Sequence, residues 1–396
     1  MKNTKMSTFN RFRIFGFIFI LIISCRFMSP SSSTEAPSPI TAEPSETSQI
    51  PQPVSTGNDA IPQSPATTFP GFVSLQIPER KISDNPTSII KVSEWQKEEG
   101  FGNINLLPNQ QLIVNNYEDL FIQSWDFVTG NSLFKFESGK TNYKGITNEI
   151  YYSSDGSQIV SLYKGGAVQA WDTNTGKWLY SFNAQKGNIT GVSYTSDGWQ
   201  VAIDTKENAI IELWNLGANK LIRSIETDHK NEIYAAFSSD GQLLATSSRD
   251  DRVVKVWNLQ TGQLLYQLSD QFFRNAGTLI FSPNSQQLIV VDAYGYSNVW
   301  SMTTGELLYE LSGDLYLGPS PVYSSDGNLI AIRMLITDNN HNGKYLIALI
   351  NANDGKQLAT IESDSDITKI IGFTPDEKLL LVDAENNTLQ IWGSSK

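Results

Sequence analysis

Residues 237–262 read FSSDGQLLATSSRDDRVVKVWNLQTG, and this stretch decides the fold. An Asp-Gly turn at 240–241 separates two short apolar runs, a third run ends at Trp257, and a Thr-Gly turn follows at 261–262. In such turns Asp caps its own backbone, and Gly takes the positive φ that a tight hairpin requires. With one further apolar run after the hairpin, the pattern predicts four short antiparallel strands joined by tight turns.

The same unit recurs with a period in the low forties. Its third run ends in a similar way seven times, at Trp125-Asp126, Trp171-Asp172, Trp214-Asn215, Trp257-Asn258, Trp300-Ser301, Ile350-Asn351 and Trp392-Gly393. Successive ends lie 46, 43, 43, 43, 50 and 42 residues apart. Four short strands per unit at this period are typical of a β-propeller. The chain is therefore predicted to be all-β, a seven-bladed β-propeller of four-stranded antiparallel blades over residues 81–396.

The repeated units resemble the Trp-Asp (WD) repeats of a β-propeller family, over roughly residues 87–396. Members of this family join a His, a Ser or Thr, an Asp and the Trp of one blade through buried hydrogen bonds. In the fourth blade the resemblance implies this structural role for His229, Ser247, Asp251 and Trp257. The other blades lack the histidine, and their tryptophans are expected to act through packing alone: Trp125, Trp171, Trp214, Trp300 and Trp392.

Closure of the ring can also be predicted. Only four residues follow Trp392, too few for the outermost strand of the last blade. Residues 88–93, SIIKVS, precede the first blade in the register of an outer strand. We expect this N-terminal strand to complete the last blade, which removes sheet edges that would favour aggregation.

The start of the chain is predicted to be a signal peptide, residues 1–24. Four cationic side chains within residues 2–13 precede a ten-residue apolar run, which is shorter than the 20 or so residues that span a bilayer. Residues 22–25, IISC, resemble the lipobox of bacterial lipoproteins. The resemblance implies that Cys25, the single cysteine, carries the lipid and becomes the new N-terminus. A buried thiol or an uncleaved anchor are the alternatives.

Residues 25–80 are predicted to be a disordered tether. The stretch 29–70 contains nine Ser, six Thr and nine Pro and no Lys or Arg, and such a composition cannot bury enough apolar surface to fold. A flexible chain of this length spans about 40 Å. The formal net charge of −12 disfavours nucleic acid and anionic lipid as partners, because both are negatively charged.

No motif with catalytic spacing is present, and no cofactor is expected. The chain has two histidines; His341 lies in a polar hairpin tip, and neither histidine indicates a metal site. Asp204, Asp292 and Asp383 come where the second strands of blades three, five and seven end. Strand ends converge on one face of a ring, so a cation or sugar site is one interpretation. The other is that each Asp begins a turn.

Aromatic residues in the connecting loops are candidates for binding a partner. The connections around blade five contain Phe272, Phe273, Arg274, Tyr294, Tyr296 and Tyr316. In the family these loops lie on one face, and aromatic and Arg side chains dominate protein-binding hot spots. The alternative for Phe272 and Phe273 is that they fill the crevice between two blades.

These features predict a membrane-anchored, extracytoplasmic β-propeller that binds a protein or a surface polymer without catalysis. The leader and Cys25 place it on a bacterial membrane or envelope. An enzyme or a quinone-dependent redox propeller is the alternative, because the repeated Asp-x-x-Thr-Gly turn is similar to that of quinone-binding propellers. Those proteins carry a Trp shortly after the Gly in most blades, whereas only Trp178 stands near that place here.

Overall fold

The computed structural model describes most of the chain from residue 68 onward. The described residues are 68–69, 72, 75, 77–97, 101–116, 121–136, 146–163, 167–183, 188–195, 198–204, 209–230, 233–248, 251–269, 276–292, 296–311, 321–337, 343–363, 365–385 and 387–395. They belong to one compact unit, Ser55–Lys396, and a second unit, Met1–Val54, lies outside them. No helix in the described ranges is long and apolar enough to cross a membrane.

Within the described residues, 28 strands form seven four-stranded antiparallel sheets, each of which is one blade. Blade one contains β2 (Phe101–Leu106), β3 (Gln111–Asn116), β4 (Phe121–Asp126) and β5 (Ser132–Phe136). Blade two contains β6 (Ile146–Tyr152), β7 (Gln158–Tyr163), β8 (Ala167–Asp172) and β9 (Trp178–Asn183). Blade three contains β10 (Asn188–Thr195), β11 (Gly198–Asp204), β12 (Ile210–Asn215) and β13 (Lys220–Glu226).

The remaining blades repeat this order. Blade four contains β14 (Ile233–Phe237), β15 (Leu243–Ser248), β16 (Val253–Asn258) and β17 (Leu264–Ser269). Blade five contains β18 (Ala276–Phe281), β19 (Gln287–Asp292), β20 (Ser297–Ser301) and β21 (Leu307–Leu311). Blade six contains β22 (Val322–Tyr323), β23 (Leu329–Thr337), β24 (Gly343–Asn351) and β25 (Gln357–Glu362). Blade seven contains β26 (Ile367–Phe373), β27 (Leu379–Ala384) and β28 (Thr388–Ser394), together with β1 (Ile89–Gln96).

The predicted closure is confirmed by the pairing of the first strand with the last. β1 runs antiparallel to β28, from Ile89 opposite Ser394 to Gln96 opposite Thr388. Beyond the paired residues, the Ser395 N–H donates to the Ser88 carbonyl at 2.6 Å. The predicted seven-bladed propeller, closed by an N-terminal strand, is therefore the observed fold.

The core lies between neighbouring blades. The second and third strands of a blade are the most buried, as in β8 and β19, because a neighbouring blade covers each face of the sheet. One apolar cluster joins Val254 and Val256 of blade four to Leu288 and Val290 of blade five. A single blade cannot bury both of its faces, so each blade depends on its two neighbours.

Antiparallel order gives the ring two distinct faces. Connections between the second and third strands, and from the fourth strand to the next blade, share one face, which we call the loop face. Connections between the first and second strands, and between the third and fourth, share the opposite face, which we call the turn face.

The folded part of the chain begins before the predicted boundary at residue 81. Thr68 pairs with Asn131 in the hairpin between β4 and β5, and the Phe69 N–H donates to the Gly130 carbonyl at 2.6 Å. The Phe69 ring is almost fully buried, 5.6 Å from Trp95 of blade seven and 5.3 Å from Trp125 of blade one. Burying one such ring stabilises a fold by on the order of 2 kcal/mol.

The described residues between 68 and 82 therefore pack on the propeller, N-terminal to the predicted boundary at 80–81. Farther along this segment, Ile82 is fully buried among apolar residues of blades six and seven. The Lys81 ammonium lies 3.1 Å from the Glu377 carboxylate of blade seven. The segment thus contacts the turn face on both sides of the closing blade, and its aromatic rings fill the seam between blades seven and one.

Candidate functional site

The fourth blade contains a buried chain of hydrogen bonds. His229 Nδ1 lies 2.8 Å from Asp251 Oδ2, and because the carboxylate can only accept, Nδ1 donates. His229 Nε2 lies 2.9 Å from the Thr246 hydroxyl, and Trp257 Nε1 donates to the same hydroxyl oxygen at 2.9 Å. This chain of four side chains joins the segment before β14 to strands β15 and β16 and to the connection between those two strands.

The sequence indicates Ser247 for this network, but the hydroxyl that takes part is that of Thr246. Neighbouring residues of a strand point to opposite faces of the sheet. Thr246 therefore shares a face with Trp257 and His229, and Ser247 lies on the other face, opposite Tyr234 in the pairing of β14 with β15. The WD resemblance therefore identifies the right strand, but the hydroxyl residue that it implies is one position too far along the chain.

Burial lowers the pKa of His229 below its ordinary value, and the hydrogen bond to Asp251 only partly opposes this shift. The neutral ring is therefore the form that the fold favours. Protonation of His229 is easier in the unfolded chain, so the contribution of this group to stability is present above about pH 6.5 and is lost as the pH falls through the folded-state pKa.

Two other tryptophans also make hydrogen bonds, which corrects the expectation that they act through packing alone. Trp214 Nε1 donates to Glu212 Oε2 at 2.9 Å, and Trp392 Nε1 donates to Gln390 Oε1 at 3.3 Å. Both partners lie two residues earlier on the same strand, so they share a face with the indole. In these two blades, which have no histidine, Glu212 and Gln390 accept the hydrogen bond of the indole N–H.

The predicted aromatic site is described only at Tyr296. This side chain is 57% exposed on the loop face, and the backbone N–H of Tyr296 donates to Asp292 Oδ1 at 3.0 Å, which holds the hairpin between β19 and β20. The other predicted members lie outside the described residues: Phe272, Phe273, Arg274, Tyr294 and Tyr316.

The strand ends that flank these segments lie side by side at the loop face of blade five. Ala276, where the chain returns from the segment 270–275, pairs with Asp292. Ser297, at the end of the hairpin, pairs with Val291 on one side and with Leu311 on the other. Leu311 is the last residue before the segment 312–320. All three segments are therefore attached to one end of one blade.

The three candidate acidic residues lie where the sequence indicated, at the ends of second strands, and each has a local partner. Asp204 is buried, and its Oδ2 accepts from the Ile233 N–H of the next blade at 3.1 Å. Asp383 Oδ1 lies 2.5 Å from Lys97 Nζ. In the described part of the chain, no group of three His, Cys, Asp or Glu side chains is arranged to hold a metal ion.

Lys97 forms a buried ion pair that the sequence does not indicate. It is buried directly after β1 and ties the closing strand to Asp383 on β27. Lys369 lies opposite Asp383 on β26, and burial lowers the pKa of its ammonium. A lone lysine after a strand carries no recognisable motif, so only the closed ring reveals this pair.

Thr246→Val tests the network in blade four. The substitution keeps the shape of the side chain but removes the hydroxyl, which leaves Trp257 Nε1 and His229 Nε2 without this partner. We expect the free energy of unfolding in urea to fall by about 1–3 kcal/mol. The His229 ring signal in proton NMR should also titrate at a changed pH; only one other histidine is present, and His341→Gln assigns the two signals.

Ser247→Ala is the matched control, one residue along the same strand. It should leave the His229 titration unchanged. If Ser247→Ala moved that titration and Thr246→Val did not, the hydroxyl in the network would be that of Ser247.

Comparisons with known proteins agree with this geometry. Residues 219–258 match the family model described as "WD domain, G-beta repeat", and this range contains His229, Thr246, Asp251 and Trp257. No curated protein matches the sequence. A chain in the "Crystal Structure of Mitotic Checkpoint Complex" has a similar fold, with a TM-score of 0.59 and 14% identity over 91% of this chain and 99% of that chain. The protein is thus a seven-bladed β-propeller in which one unit matches the WD repeat.

Proposed function

We propose that this protein is a non-catalytic binding platform, anchored outside the cytoplasm to a bacterial membrane by a lipid on Cys25. Its partner is a protein or a cell-surface polymer, bound at the loop face. The observation that carries the binding role is the closed ring with a WD repeat, because propellers of this kind typically present rigid faces to protein partners. The exposed Tyr296 marks where binding is expected.

The aromatic loops around blade five supply the contact residues. Their attachment points share one end of the blade, so side chains from three segments have access to a single partner surface. Aromatic rings provide large contact area with few rotatable bonds, and Arg274 adds a planar donor. Stable strands beneath the loops preorganise the face, which lowers the entropy cost of binding.

The leader and Cys25 support the anchor. A charged start, a short apolar run and a small residue before the single cysteine are the elements that bacterial lipoproteins share. More than one acyl chain is needed for stable attachment to a bilayer, and a lipid-modified N-terminal cysteine supplies this. The Ser, Thr and Pro of residues 29–67 then separate the anchor from the folded ring.

Phe272→Ser combined with Phe273→Ser tests the binding face. Loss of two hot-spot rings should weaken partner recovery by chemical cross-linking on native membranes by about 30-fold, which corresponds to 2 kcal/mol. The thermal midpoint should stay nearly unchanged. Val128→Ser removes an exposed apolar side chain from the turn face and should leave recovery intact. A large fall in thermal stability of the double variant would show instead that the two rings pack between blades.

Mass spectrometry of the N-terminus tests the anchor. The native chain should begin at Cys25 and carry acyl mass on that residue, whereas Cys25→Ala should keep residues 1–24 and carry none. The reason is that both cleavage and acylation act at the cysteine. A native chain without acyl mass on Cys25 would refute the lipoprotein assignment and leave the binding role to be judged separately.

A further inference from the structure

The outer strands of four consecutive blades begin with exposed apolar residues at the turn face. In blades three, four and five these are pairs, Leu221-Ile222, Leu264-Leu265 and Leu307-Leu308, and in blade two it is Trp178. Each of these side chains is between 38% and 45% exposed. We call this set the apolar rim.

The fold does not require an apolar residue at the first of these positions. Trp178, Leu221, Leu264 and Leu307 each lie opposite the tryptophan that ends the third strand of their blade. At the same register, the other blades have polar residues: Ser132, Lys91 and Gln357. At the second position all blades are apolar, but Leu133, Val92 and Leu358 are only partly exposed, so the exposed apolar residues distinguish blades two to five.

Contact between neighbouring hairpins is made by the residue that follows the rim positions. The Tyr266 ring packs against Gly305 of the next blade, where no Cβ would fit, and its hydroxyl donates to the Thr303 carbonyl at 2.9 Å. Arg223 occupies the same place in blade three and donates to the Gln260 carbonyl at 2.7 Å. Because these third residues join the blades, the first two of each strand remain available at the surface.

The rest of the chain joins the ring on the same face. Thr68 pairs with Asn131, in the hairpin between the third and fourth strands of blade one. The exposed Val128 lies at the tip of that hairpin. Residues 1–67, with the leader and Cys25, are thus attached to the face that carries the apolar rim.

The hairpins between the third and fourth strands of blades two to five carry no net charge, and the turns between first and second strands on the same face add Asp155 and Asp240. The hairpins contain two acidic residues, Asp172 and Glu306, and two basic residues, Lys177 and Lys220. A zwitterionic phospholipid surface does not repel the uncharged hairpins. Leu and Ile favour the edge of the hydrocarbon region, and Trp is enriched at membrane interfaces.

We infer that the apolar rim lies against the bilayer surface and orients the propeller, with the turn face toward the membrane and the loop face away from it. This inference rests on the proposed membrane anchor. Several half-exposed side chains bind lipid only weakly by themselves. A tether that spans about 40 Å keeps the ring near the bilayer at a high effective concentration, so weak contact is sufficient.

Tryptophan quenching tests the inference on the full chain. The chain is reconstituted in phosphatidylcholine vesicles whose acyl chains carry bromine, a quencher that acts at short range. Among the nine tryptophans, all of which the structure describes, only Trp178 is exposed. The bromolipid should remove the emission that Trp178→Phe removes, and the buried tryptophans should keep theirs.

A matched pair of variants adds one negative charge to each face. Leu265→Asp, on the rim, should abolish quenching of Trp178. Asn387→Asp, exposed in the loop-face hairpin between β27 and β28, should leave it unchanged. The intact emission of the buried tryptophans reports that both variants are folded. Equal quenching in both variants would overturn the inference.

The outcomes separate the rim from the anchor. Acyl mass on Cys25 without quenching of Trp178 would overturn the rim and leave the anchor intact. If Cys25 carries no acyl mass, the full chain is coupled through this single thiol to a maleimide phospholipid in the same vesicles. Quenching of Trp178 would then support contact between the rim and lipid, and no quenching would overturn it. The last measurement is analytical sedimentation without vesicles. A dimer that Leu265→Asp dissociates would show that the rim binds a second copy of the chain, which would overturn contact with lipid.

Discussion

The antiparallel pairing of β1 with β28 is the interaction on which the rest of the structure depends. It places a strand from the start of the domain in the last blade, so every blade has four strands and a neighbour on each side. The blades bury their apolar faces mainly against one another, and an open ring would expose two of these faces. Phe69, Ile82 and the contact of Lys97 with Asp383 add to this junction, which spans the two ends of the described chain.

Closure also determines what each face of the ring can do. Phe69 packs beneath the seam between blades seven and one, so the described chain begins at the turn face. The proposed division of labour follows from this topology, with attachment and lipid contact on one face and partner binding on the other. Neither role uses the repeated tryptophans, which are buried between blades or bonded within them.

Local sequence rules predict the fold well and the details less well. Short-range sequence patterns are enough to recognise three features: the Asp-Gly turns, the recurring Trp and the additional strand at 88–93. All three are present in the structure. The choice between Thr246 and Ser247 depends on which face of β15 meets His229. A pattern of residue types cannot distinguish two neighbouring hydroxyl residues that point to opposite faces. Phe69 was assigned to the tether because its neighbours are Pro, Ser and Thr; its burial arises from Trp95 and Trp125, which are distant in sequence. The exposure of the apolar rim likewise depends on how adjacent hairpins pack.

Disulfide trapping of the closing strand tests the central claim most directly. The hydroxyls of Ser88 and Ser395 are in contact across the junction, close enough for a disulfide after substitution of both residues. Ser88→Cys with Ser395→Cys, in a Cys25→Ala background that removes the native thiol, should oxidise within one chain and raise the thermal midpoint. Peptide mass mapping would identify the bond. Free thiols, or disulfides between chains only, would contradict a ring closed by β1.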